Sequence, residues 1–99
     1  MYARVSEIMS PVDQIDQGIA GFRNQVVPTI KDTEGFVRAY LLVDRSSGKT
    51  LSITVWENEE AMRASEEAAT QLRASVAGEM GATSISVDRY EVVVSAPEN

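Results

Sequence analysis

The chain has 99 residues, 43% of them hydrophobic, no cysteine, no histidine and a net charge of −6 at pH 7. A chain of this length makes one modest core, burying about 60 to 65% of its unfolded surface. The missing residues exclude disulfides, thiolate chemistry and the commonest metal ligand and general base, and the acidic balance disfavours nucleic acid as a partner.

The charge is uneven. Residues 1–50 carry six basic and six acidic side chains, whereas residues 51–99 carry three and nine. No stretch approaches the roughly 20 apolar residues of a membrane helix, and the opening MYARVSEIMS lacks an apolar run of signal-peptide length. A cytoplasmic protein with neither a membrane nor a nucleic-acid partner is expected.

Residues 2–9 (YARVSEIM) predict a first strand, and Ser10-Pro11-Val12-Asp13 a helix start, with Ser10 as N-cap and Pro11 at the first helical position. Val12, Ile15, Ile19, Phe22, Val26 and Ile30 recur at spacings of three and four, which defines a core-facing stripe. Gly18 and Gly21 inside this helix either permit close packing or are tolerated, the latter being preferred here. Pro28 lacks an amide hydrogen and predicts a kink or restart, with a final end between Lys31 and Gly35.

Residues 36–44 (FVRAYLLVD) and 49–57 (KTLSITVWE) predict two strands joined by Arg45-Ser46-Ser47-Gly48 as a hairpin loop. Alternation places Phe36, Tyr40 and Leu42 on one face and Val37, Ala39, Leu41 and Val43 on the other, so both faces need cover. Asn58 caps a second helix with Glu59 and Glu60 in its first turn and a Glu59–Arg63 pair four residues apart. Its inner face is Ala61, Met62, Ser65, Ala68, Ala69, Leu72 and Val76, and its end falls near Gly78 or Gly81. Residues 84–94 predict the last strand, with a change of apolar parity near Asp88-Arg89 that suggests a bulge or an exit towards a partner; residues 95–99 read as a tail.

The order βαββαβ predicts one domain over residues 1–99, of α+β ferredoxin-like class: an antiparallel sheet in the order 4-1-3-2 with both helices on one face. The other face is then the natural surface for a homodimer.

The segment Ile53-Thr54-Val55-Trp56-Glu57-Asn58-Glu59-Glu60-Ala61-Met62 resembles the antibiotic-biosynthesis-monooxygenase-like family of dimeric α+β barrels. Val26-Val27-Pro28 at a helix end and Glu34-Gly35-Phe36 opening a strand extend the likeness over nearly the whole chain. The resemblance implies a homodimer whose sheets pack into a barrel, with a small-molecule pocket between helices and sheet in each subunit. Some members oxidise aromatic polyketides with molecular oxygen and no metal or flavin, and in them the tryptophan matching Trp56 lines the site. This chain departs from their pattern, with Ser52 where they have asparagine and Met62 where they have tyrosine. The tryptophan and histidine of haem-degrading members fall at Ser65 and at or near Ser75, which does not support haem.

Candidate ligand-binding residues are Trp56, Arg38, Tyr40, Met62 and Ser65. Trp56 is either a wall on which a flat ligand stacks or a core aromatic at a strand end, and the second is the commoner role. Arg38 and Tyr40 share a strand face and either hold an anionic or phenolic group or pair with acidic residues across the sheet or dimer. Ser65 is the most polar group on the inner face of its helix, where serine commonly bonds its own helix's carbonyl. Met62, with Met9 and Met80, is a flexible core filler that would also suit an irregular apolar pocket. No carboxylate pair has acid–base spacing, so no catalytic residue is assigned and no cofactor is expected. Two functions follow: a cofactor-independent monooxygenase of a small aromatic or polyketide-type substrate, or a non-catalytic homodimer that binds a small apolar ligand or serves as an interaction module.

Overall fold

The computed structural model describes residues 1–97. Its four strands are β1 (Tyr2–Met9), β2 (Phe36–Asp44), β3 (Lys49–Trp56) and β4 (Ser84–Glu91), all antiparallel, in the order β2-β3-β1-β4. This is the expected 4-1-3-2 sheet of the α+β ferredoxin-like fold, read from the opposite edge.

The first helical region is segmented. A 3₁₀ turn (Val12–Gln14) leads into α1 (Ile15–Gly21), a π-helical turn (Phe22–Val26) and α2 (Val27–Ile30). Ser10 is not the cap. Its backbone N–H donates to Gly48 O at 3.1 Å, which ties it to the β2–β3 loop, and Pro11 takes the position before the first turn. The restart expected at Pro28 takes the form of the widened turn just before it, since the proline ring crowds an ordinary turn and supplies no N–H.

The buried stripe starts at Ile15, 1% exposed, and runs to Ile30, whereas Val12 lies outside it at 49%. Gly18 and Gly21 are not merely tolerated. A methyl at Gly18 would sit 2.6 Å from Met80 Cε, and one at Gly21 3.1 Å from Val76 Cγ1, so both glycines let the first helical region cross closely over the second.

The second helical region breaks at Ser65 into α3 (Glu59–Ala64) and α4 (Glu66–Glu79). Asn58 Oδ1 accepts from Ala61 N–H at 2.8 Å, the expected cap, and Arg63 pairs with Glu59 at 2.9 Å. The break has a local cause: the Met62 carbonyl, which would accept from residue 66 in a continuous helix, instead accepts from Ser65 N, Ser65 Oγ and Arg4 Nη1. Ala68, assigned above to the inner face, is exposed.

The bulge considered for the last strand is absent from its described residues. β4 pairs with β1 in unbroken register from Ser84 to Glu91 and ends there, leaving Val93 and Val94 outside the sheet and more than three-quarters exposed. The bulge lies in β2, where Phe36 pairs with Trp56 and Arg38 with Val55. Val37 is the extra residue, so Phe36 shares a face with Ala39, Leu41 and Val43 and not with Tyr40 and Leu42. Of the expected tail, residues 98 and 99 lie outside the described residues. Among the described residues no helix is long and apolar enough to cross a membrane.

Candidate functional site: a helix–sheet cavity

The strands present their faces in an unusual sense. In β3 the register puts Thr50, Ser52 and Thr54 opposite Ile8, Ser6 and Arg4 of β1, on the side the helices cover, while Leu51, Ile53 and Val55 face away. Sheets normally bury the apolar side and wet the polar one. Here the hydroxyl side is inside, and it bounds a cavity of about 60 Å³.

Helices supply the apolar part of the wall through Phe22, Val26, Ile30, Leu72, Val76 and Met80, and Leu41 of β2 adds to it. The polar part comes from Arg4, Ser6, Thr50, Ser52, Thr54 and Arg73. Arg73 Nε donates to Ser6 Oγ at 3.1 Å, joining α4 to the central strand.

Arg4 organises one end. It is 3% exposed, and its Nη1 donates to Met62 O and to Ser65 Oγ, each at 3.1 Å, and lies 3.4 Å from Glu66 Oε1. Its guanidinium carbon is 5.7 Å from the Trp56 ring centroid, a cation–π contact. Trp56, wholly buried, donates from Nε1 to Thr54 Oγ1 at 3.0 Å and meets Phe36 edge-on at 5.6 Å.

The sequence-based candidates divide accordingly. Trp56, Met62 and Ser65 come together around Arg4, behind the wall, and Ser65 Oγ bonds the Met62 carbonyl of its own helical region at 2.7 Å. Arg38 and Tyr40 do not join them. Paired with Val55 and Ile53, they face away from the helices because the bulge at Val37 sets the parity of β2. None of the five lines the cavity. Arg4, Ser6, Thr50 and Arg73 escaped sequence reasoning, yet the hydroxyl parity of Thr50-Ser52-Thr54 was a readable signal, since it marks one side of β3 as polar before it is known to face inwards.

Burial pushes the Arg4 guanidinium below its usual value against the opposing pull of Glu66, and burial followed by the charge of Arg4 does the same to Arg73. Glu66 is held below its ordinary 4.5, chiefly by the hydrogen bonds from Arg89, whose Nε and Nη2 grip the two carboxylate oxygens at 2.7 and 2.8 Å. A depressed carboxylate stabilises the fold fully above its unfolded value, and that stabilisation disappears as pH falls through the folded one. Denaturant midpoints are therefore expected to drop below about pH 4.5 more steeply in the native chain than in Glu66→Gln, measured between pH 7 and 3.

Taken together, a four-stranded antiparallel sheet with helices over one face and a cavity beneath them is the α+β ferredoxin-like fold. A model of the antibiotic biosynthesis monooxygenase family matches residues 1–81, and the chain belongs to that family. Two uncharacterised Mycobacterium tuberculosis proteins are 38% and 37% identical over 92 and 94 residues, covering 93% and 95% of this chain but 41% and 39% of their own length. The chain thus spans about two fifths of these curated relatives.

Among solved structures, the fold is similar to that of a monooxygenase from the ActVA-Orf6 gene of Streptomyces coelicolor in complex with nanaomycin D (TM-score 0.80, 14% identity, 99% of this chain and 92% of that one). It is also similar to SnoaB, a cofactor-independent oxygenase from Streptomyces nogalater (0.69, 17%, 98% and 97%), and to the heme-degrader MhuD from M. tuberculosis (0.72, 20%, 97% and 99%). At these identities the likeness is one of fold.

Proposed function

We propose that residues 1–99 act as a single domain in the cytoplasm, pair with a second copy through the open sheet face, and use the cavity to bind a small electron-rich substrate and oxidise it with molecular oxygen without a cofactor. The observation that carries this reading is the inverted polarity of β3: Thr50, Ser52 and Thr54 line a cavity together with Arg4 and Arg73, while Leu51 and Ile53 face outwards beside Tyr40 and Leu42, each nearly half exposed. A plain core would have the opposite arrangement. Family membership and the fold shared with two oxygenases support the same reading.

In the chemistry proposed, an activated methylene loses a proton and its carbanion gives an electron to oxygen. The radical pair then combines to a hydroperoxide, and loss of water leaves a carbonyl. The methylene supplies four electrons, and one oxygen atom enters the product while the other leaves as water. Arg73, which lines the cavity, would favour the anion by placing positive charge beside it.

The cavity size favours a second reading, a non-catalytic small-ligand module, because about 60 Å³, at 10–15 Å³ for each water-sized sphere, is too small for a polycyclic aromatic substrate. Oxygen-electrode assays across hydroxyanthrones and single-ring phenols and enols separate the two. Uptake that Arg73→Met lowers at least about tenfold supports oxidation; no uptake across the panel supports the binding module. Sedimentation equilibrium is expected to give a dimer at micromolar concentration and a monomer for Leu42→Glu, and a monomeric native chain overturns the paired-sheet reading.

A further inference from the structure

Among the described residues Arg4 and Arg73 line the cavity and no aspartate or glutamate does, the Arg4 guanidinium being taken up by Met62, Ser65, Glu66 and Trp56. Among the described residues Arg4 is paired only with Glu66, at 3.4 Å, and that carboxylate is outside the wall and already gripped through both oxygens by Arg89. Arg73 has no ion pair among the described residues, its hydrogen bond being to the neutral Ser6 hydroxyl. Partial burial and then the charge of Arg4 disfavour the Arg73 cation, so an anion beside it would stabilise it.

An independent observation lies on the same wall. Thr50 is 3% exposed, its side chain lines the cavity, and its Oγ1 has no hydrogen-bond partner among the described residues. Buried hydroxyls are nearly always paired, and one that is not costs stability unless something outside the chain completes it. Valine would fill the same space without that cost, so a hydroxyl here suits a ligand better than it suits the fold.

From these groups we infer that the cavity is a receptor for a small organic anion, a monocarboxylate or enolate held at its charged end by Arg73 and hydrogen-bonded by Thr50. Its size follows from the volume: about 60 Å³, at 10–15 Å³ for each water-sized sphere, holds roughly four to six non-hydrogen atoms. The apolar end of the ion lies against Phe22, Val26 and Leu41, which face it from the helices and β2. This inference rests on the cavity's being the ligand chamber and is independent of whether oxidation occurs there.

The test uses crotonate, which has six non-hydrogen atoms, against crotonamide, its neutral near-isostere, by calorimetric titration of the native protein. Crotonate is expected to bind at least about tenfold more tightly, the usual margin of a charge-assisted over a neutral hydrogen bond. Arg73→Met, which keeps an apolar stem, is expected to remove that preference, and Arg73→Lys to restore part of it. Thr50→Val is expected to weaken crotonate binding without lowering the thermal midpoint, a combination that a purely structural role would not produce.

Equal binding of crotonate and crotonamide, or a crotonate preference that survives in Arg73→Met, overturns the anion receptor. So does the absence of binding to either probe. The outcomes are separable from those of the oxygenase reading: anion binding without oxygen uptake leaves the receptor standing and removes the oxidation, and uptake with charge-blind binding does the reverse.

Discussion

Trp56→Ala is expected to remove about 3–5 kcal/mol of stability, the usual cost of emptying a buried large aromatic site. A domain of this size has only about 5–15 kcal/mol in all, so the variant is expected to lie close to unfolding at ambient temperature. Three features make the site unable to collapse cheaply. The indole is wholly buried, its edge contact with Phe36 anchors the bulged start of β2, and its face carries the buried Arg4 cation. Loss of Nε1–H also takes a donor from Thr54 Oγ1. Trp56→Phe keeps a ring beside Phe36 and Arg4 while losing the N–H, and is expected to cost about 1–2 kcal/mol, chiefly the hydrogen bond. Denaturant titration of both variants checks the order, and similar costs for the two would show that the ring contacts contribute little.

Glu66→Gln is expected to be more damaging than Arg4→Met, although both break the same ion pair. Removing the carboxylate's charge leaves Arg4 buried at 3% exposure with no counter-charge, and stranding a buried ion costs about 3–5 kcal/mol. Removing Arg4 leaves little stranded. Glu66 keeps both hydrogen bonds from Arg89, and the Met62 carbonyl keeps Ser65 Oγ and Ser65 N as donors. The cost of Arg4→Met is then about 1.5–3 kcal/mol for each of its two charged hydrogen bonds, offset by the several kcal/mol that burying the guanidinium no longer costs. A larger loss for Arg4→Met, measured by the same titration, would mean that the guanidinium's packing on Trp56 outweighs the electrostatics of the pair.

The strands, the hairpin at Arg45–Gly48 and the Asn58 cap were legible because each rests on local chemistry: β-branched runs, a glycine at positive φ in the loop, a side chain that reaches its own helix's free N–H. The order of those elements determined the sheet topology, since right-handed crossovers leave few alternatives. The family was legible too, in the run from Ile53 to Met62.

What the tertiary structure alone decided was which side of the sheet is inside, and therefore where a ligand can sit. Alternation separates Thr50-Ser52-Thr54 from Leu51-Ile53-Val55 but is silent on which set the helices cover, because period two distinguishes faces without assigning them. One inserted residue at Val37 reverses the parity of β2, which turned Arg38 and Tyr40 outwards and Phe36 inwards. Arg4 and Arg73, 69 positions apart, share a wall only because β1 runs through the centre of the sheet under α4, and nothing in their spacing reveals it. The sequence by itself determined the elements, their order and the family, which depend on local preference and handedness. The charge and position of the cavity were settled by register and by helix placement, which exist only once the chain has folded.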